Sequence, residues 1–137
     1  MRLLSRPDRV ESLLTFRAYI DALCRSFDQA MDAPRVPSRP AVDDHGLEWQ
    51  NTTLEFFLLA MDEWLLSTGW TTHDRAESLA WSVLALPEGE FTGDEDALRA
   101  YLAAVRIRAA DEGLPDDWYW RPVAESLAAG RANRYGK

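Results

Sequence analysis

One cysteine and two histidines are all that this chain of 137 residues offers to a soft metal or a redox couple. A lone Cys24 forms no internal disulfide, and neither the paired-cysteine pattern of a zinc site nor a redox pair is present. It falls inside a helical pattern, where a free cysteine behaves as a small buried hydrophobe. A reducing cytoplasm fits such a chain. His45 and His73 stand beside Asp44 and Asp74 in predicted loops, without a second donor at helical spacing, and read as surface residues. No metal and no other cofactor is expected.

Long apolar runs are missing as well. The opening Met1-Arg2-Leu3-Leu4-Ser5-Arg6-Pro7-Asp8 has no stretch of signal-peptide length, and nothing reaches the about eighteen apolar residues that a membrane span requires. Neither an export signal nor a membrane helix is expected. Glycine-rich phosphate loops, a nucleophile elbow and a calcium-loop pattern are absent, and the turn Gly89 to Gly93 lacks the following Lys-Ser or Lys-Thr. Carboxylate pairs such as Asp62 with Glu63, or Asp116 with Asp117, are adjacent residues that diverge on a helix, whereas acid–base catalysis needs two groups converging on a pocket. The chain does not read as an enzyme.

What is present is enough to build a core. A domain of this length hides roughly 70% of the surface of its unfolded chain, and six Trp, five Phe and four Tyr supply large side chains to fill it. Leu13, Phe16, Ile20, Leu23, Phe27 and Met31 recur at three- and four-residue steps, which predicts an amphipathic helix from about Val10 to Met31, opened by a cap at Asp8 with Glu11. The strongest element is an apolar helix from Thr52 to about Ser67. Thr52 and Glu55 form its capping box, Leu54, Phe57, Leu58, Met61, Trp64 and Leu65 its stripe, and Gly69 its end. Its apolar surface extends over so much of the circumference that other helices are expected to pack around it. A shorter helix follows through Ala76, Leu79, Ala80, Val83 and Leu84. Another runs from about Asp94 with Ala97, Leu98, Tyr101, Leu102 and Val105 inward, its acids first and its Arg106 and Arg108 last, as the helix dipole favours. Trp120, Val123, Ala124 and Leu127 mark the final face, capped by Asp116 or Asp117 and weakened at Gly130. Residues 33–47 hold three prolines at three-residue spacing and read as a Pro-rich connector. No strand alternation is visible. The predicted fold is therefore all-α, one domain over 1–137, an irregular bundle of about five helices around the central helix 52–67.

The net charge of −8 is unevenly placed. Residues 1–41 carry seven Arg against five acids, residues 42–120 carry four Arg against seventeen acids, and residues 121–137 carry four basic groups against Glu125. A middle segment at −13 opposes nucleic acid and anionic lipid and attracts basic partners. The basic clusters Arg2, Arg6, Arg9 and Arg131, Arg134, Lys137 contain no reading helix, so specific nucleic-acid recognition is not expected. Nine acids fall within thirty residues: Glu88, Glu90, Asp94, Glu95, Asp96, Asp111, Glu112, Asp116 and Asp117. Close to them lie Phe91, Trp118, Tyr119 and Trp120. Acids around aromatic anchors, with Trp118 chief among them, form a candidate footprint for a basic protein. The same residues also serve as helix caps and core aromatics.

Trp49-Gln50-Asn51-Thr52-Thr53-Leu54-Glu55-Phe56-Phe57-Leu58 resembles the Trp-Glu-Asn-x-Thr-Leu-x-x-Phe-Leu opening of a small bacterial domain family of uncharacterised function. Phe16 and Leu23 in the first helix, and Trp120, Val123, Ala124, Leu127 and Tyr135 in the last, are similar to its flanking helices. The likeness covers about half of the chain. Gln50 replaces the usual Glu, and residues 69–117 are longer than the family norm. Physically, Trp49 serves as an apolar clamp on the first turn of the following helix and Asn51 as a partner for a free amide or carbonyl. Small acidic bacterial families of this kind resemble immunity proteins, and the resemblance implies a cytoplasmic binding protein that neutralises a basic toxin by masking its surface. A structural or adaptor subunit, as a homodimer, is the alternative reading, and an enzyme with a carboxylate-lined pocket the third.

Overall fold

The computed structural model describes residues 6–34, 39–44, 46–67, 95–114, 116 and 120–132. Among them four helices and one two-stranded ribbon form the architecture: α1 (Leu13–Asp32), β1 (Ala41–Val42), β2 (Glu48–Trp49), α2 (Leu54–Ser67), α3 (Glu95–Ala109) and α4 (Trp120–Ala132), preceded by a 3₁₀ turn at Pro7–Arg9. The fold is mostly helical but not purely all-α, and the described residues hold four helices where about five were expected. The expected helix through Ala76 to Leu84 and the stop at Gly69 lie outside the described residues.

The expected stripe of α1 is buried at Leu13, Phe16, Ile20, Leu23 and Phe27, but the helix starts later than Asp8 and Glu11 suggested. Asp8 is engaged with Arg6 at 3.2 Å, and Val10, in extended conformation, inserts fully into the core after the 3₁₀ turn. Ser12 is the cap. Its Oγ accepts from the Thr15 amide, and Thr15 Oγ1 accepts from the Ser12 amide at 2.9 Å, so two free donors are satisfied reciprocally. A third comes from far away in sequence: the Leu13 amide donates to Asp116 Oδ1 at 3.3 Å. Asp116, expected to open the last helix, therefore caps the first.

Part of the connector is a ribbon. β1 and β2 pair antiparallel with Ala41 opposite Trp49 and Val42 opposite Glu48. Within its turn, the Asp43 amide donates to the Leu47 carbonyl and the Gly46 amide to the Asp43 carbonyl, with Gly46 at φ 84°, where a side chain would be strained. Two residues per strand are too few to show alternation, which is why the sequence reads as irregular there.

The helices associate chiefly as two pairs, α1 with α3 and α2 with α4. Arg17 reaches from α1 to the end of α3 and donates to the carbonyls of Ala109 at 2.5 Å and Asp111 at 3.0 Å, satisfying acceptors that a helix end leaves open. Asp28 with Arg99 and Asp21 with Arg106 run along the same seam; being exposed, such pairs contribute at most about 1 kcal/mol each. These contacts make α1 and α3 antiparallel. On α2, Leu54, Phe57, Ala60 and Met61 are buried, while Phe56 and Leu59 stay partly exposed. Helix α2 begins at Leu54, with the Phe57 amide bonded to the Thr53 carbonyl, so the Thr52–Glu55 capping box does not describe its start. Among the described residues it packs chiefly against α4, with further contacts to α3. No helix among the described residues is long and apolar enough to cross a membrane.

Gly130 does not end α4, which runs on to Ala132. It is the point of closest approach to α2: a Cβ there would stand 2.8 Å from Met61 Cγ and 2.9 Å from Phe57 Cε1, both in the core. In an exposed helix Gly→Ala gains about 1 kcal/mol. Here overpacking outweighs that gain, and Gly130→Ala is expected to lower stability by about 1–3 kcal/mol. Chemical denaturation checks this, and an equal or higher midpoint would contradict the close approach.

Candidate functional site

Three of the buried polar side chains, Ser26, Asp43 and Asn51, lie where α1, the ribbon and α4 meet. Tyr19, Leu23, Ser26 and Ala30 form a second row on the buried arc of α1, and Ser26 interrupts it with a hydroxyl. Ser26 Oγ donates to Asp43 Oδ2 at 2.7 Å and accepts from Trp49 Nε1 at 2.9 Å. The other oxygen of Asp43 accepts from the Leu47 amide at 2.9 Å. Helix α1 is thereby tied to β2 and to the turn that follows β1. Ser26, Asp43 and Trp49 are all buried, and a buried polar group costs little only while it keeps its partners.

The ribbon is fixed to α4 on its other side. Asn51 Nδ2 donates to the Gly130 carbonyl at 2.7 Å, the Gln50 amide to the Arg131 carbonyl at 2.9 Å, and Arg131 Nη1 to the Glu48 carbonyl. Asn51 thus satisfies a carbonyl, and Trp49 lies stacked on Phe57 in the first turns of α2, with ring centroids 6.4 Å apart. Phe27, Trp49, Phe57 and Tyr101 form a continuous line of ring contacts across α1, β2, α2 and α3. Trp49, Leu54, Phe57 and Leu58 of the Trp49–Leu58 motif are therefore occupied by packing.

Chemically the cluster is a lock. A serine nucleophile requires a base that takes its proton and an open approach for substrate; Ser26 is buried, and its oxygen is held by Asp43 and Trp49 together. Burial lowers the Arg131 pKa, opposed by Tyr19, Asp43 and Glu48, and burial raises the Tyr19 phenol, opposed by Arg131. Cys24 faces a cleft of about 50 Å³ lined also by Phe27, Asp28, Arg99, Leu102 and Arg106. Its Sγ donates to the Leu102 carbonyl at 3.4 Å, and burial pushes the thiol up to about 11. That is the inert state of a cysteine, consistent with its reading as a small hydrophobe. Among the described residues, no group of three or more His, Cys, Asp or Glu is placed to hold a metal ion.

Of the acids singled out as a partner footprint, the described ones lie towards the two ends of α3. Glu88, Glu90, Asp94, Asp117 and Trp118 lie outside the described residues. Glu95 and Asp96 open α3, whereas Asp111 and Glu112 follow its last residue, about 20 Å away at 1.5 Å per residue. Asp96, Asp111, Glu112 and Asp116 are exposed, and Glu95 is half-buried. Two have local structural work: Asp111 Oδ1 accepts from the Gly113 amide at 2.8 Å, and Asp116 caps α1. The buried cluster was missed from sequence, although a serine on an apolar arc was its visible trace. No protein-family model, curated protein or solved structure matches this chain.

Two outcomes follow from the burial. Ser26→Ala removes the acceptor of the Trp49 indole N–H and one donor to Asp43, so stability should fall by about 1–3 kcal/mol in urea denaturation; a neutral change would show that the network adds nothing. Because Cys24 has its pKa raised from 9.0 to about 11 in the fold, the unfolded chain ionises first. Its contribution is complete below pH 9.0 and lost as pH rises towards about 11, so the urea midpoint should decline across that window and not at neutral pH.

Proposed function

We propose that this chain is a cytoplasmic binding protein of immunity or antitoxin type, which masks a basic surface on a toxin. The observation that carries the reading is the charge of −13 concentrated in residues 42–120. A field of that sign speeds and orients encounter with a basic partner, while apolar contacts supply most of the affinity. Exposure of Asp96, Asp111, Glu112 and Asp116 supports it, since these carboxylates are open to solvent. The likeness of Trp49 to Leu58 to a small bacterial family, with Gln50 in place of Glu, supports it by association only. A homodimeric adaptor is the second reading, favoured by Phe56 and Leu59, which remain 45% and 37% exposed on α2.

The test is association with the product of the neighbouring gene. Asp96→Lys, Asp111→Lys and Glu112→Lys combined reverse three exposed charges without touching the cap at Asp116. The association rate at low salt should fall about tenfold or more, and an unchanged rate would sink the proposal. A dimeric mass in sedimentation, with no complex formed, would favour the adaptor.

A further inference from the structure

Leu14 and Ile107 are far more exposed than any other large apolar residue described, at 73% and 71%. Leu14 shares its side of α1 with exposed Ala18 and Arg25, at steps of four and seven residues. Ile107 shares its side of α3 with exposed Ala100 and Asp96, at steps of seven and four. Both rows face away from the core, on a helix pair that is antiparallel through Arg17, Asp21 and Asp28. Leu14 is the second residue of α1 and Ile107 stands two residues before the end of α3, so the two mark the same end of the pair.

Carboxylates rim that end. The bond from the Leu13 amide fixes Asp116 beside the first turn of α1, and the bond from Arg17 fixes Asp111 alongside it. Glu11, Asp111, Glu112 and Asp116 are all exposed there. Among the described cations nearby, Arg106 is paired with Asp21 and Arg6 with Asp8, while Arg17 is held by two carbonyls. Arg9, exposed in the 3₁₀ turn, is the neighbouring positive charge closest to Glu11 in sequence.

We propose that this end of the bundle is the docking surface, with Leu14 and Ile107 as apolar anchors, for a protein surface that presents an apolar patch surrounded by lysine and arginine. The inference rests on the basic-partner reading and narrows it to one end of α1 and α3. Charge selects the occupant. A second copy of this chain would oppose the four carboxylates to their own duplicates, a juxtaposition that is strongly unfavourable. A basic partner neutralises them and buries the two aliphatic side chains, which in water gain nothing from their exposure.

The test uses the full chain and two probes, an amphipathic helical peptide of leucine and lysine and an oligolysine of equal charge. Titration followed by backbone amide resonances should show the amphipathic peptide binding with shifts centred on residues 11–17 and 105–116. Leu14→Ser with Ile107→Ser, which leaves the charge unchanged, should weaken it about tenfold with an unaltered circular dichroism spectrum. Oligolysine should bind more weakly and respond little to the variant. Binding that persists in the serine variant, or shifts centred on α2, overturns this surface while leaving a basic partner in place. Failure of both peptides to bind overturns the surface and the basic-partner reading together. A dimer that the serine variant dissolves overturns the choice of a foreign partner.

Discussion

The hydroxyl of Ser26 is the atom on which the arrangement of the ribbon depends. It accepts the Trp49 indole N–H and donates to Asp43, so one oxygen on α1 fixes a residue from each side of the ribbon turn. Burial gives this constraint its force. In water the three groups would exchange partners freely, but inside the core an indole N–H or carboxylate oxygen without a partner costs more than a typical hydrogen bond contributes. Trp49 is therefore held in one place and one orientation. Its ring then meets Phe27 on one side and Phe57 on the other, and the aromatic contacts continue to Tyr101.

From this anchored indole the second helix pair is set. β2 leads directly into α2, and Gln50 and Asn51 bond the carbonyls of Arg131 and Gly130 at the end of α4. Gly130 allows α4 to lie against Phe57 and Met61 with no side chain between. A glycine that weakens an isolated helix here permits a close contact, because the loss in helix propensity is smaller than the cost of forcing a Cβ into the packed rings. The segment from Trp49 to Leu58 is thus the joint of the structure. Its buried side chains hold α1, α2 and α4 together.

The proposed docking surface lies on the outside of the α1–α3 pair. The acids there are divided by the length of α3, and some of them stabilise the fold itself, as Asp116 does at the start of α1. A surface of this kind works through field and shape, not through a pocket of converging groups. Capping and partner attraction are compatible in one carboxylate, since a cap engages one oxygen and an exposed side chain keeps its charge in solvent.

Helical periodicity in the sequence determined much of the core. Phe16, Ile20, Leu23 and Phe27, Leu98, Tyr101, Leu102 and Val105, and Trp120, Val123, Ala124 and Leu127 are all buried where their three- and four-residue spacing placed them. That spacing is a local property, fixed by 3.6 residues per turn, and any stretch of chain carries it. Composition likewise set the charge and the scarcity of ligating residues. Tertiary structure alone decided that Asp116 caps α1, that Ser26 joins Asp43 to Trp49, that the connector contains a ribbon, and that Gly130 is a point of close contact between two helices. Each of these joins residues distant in sequence or depends on the space between two elements, and no local pattern records which distant partner a polar side chain will meet. Trp49 shows both sides: its place before an apolar helix was legible, while the hydroxyl that holds its indole lies 23 residues earlier and became visible only in the fold.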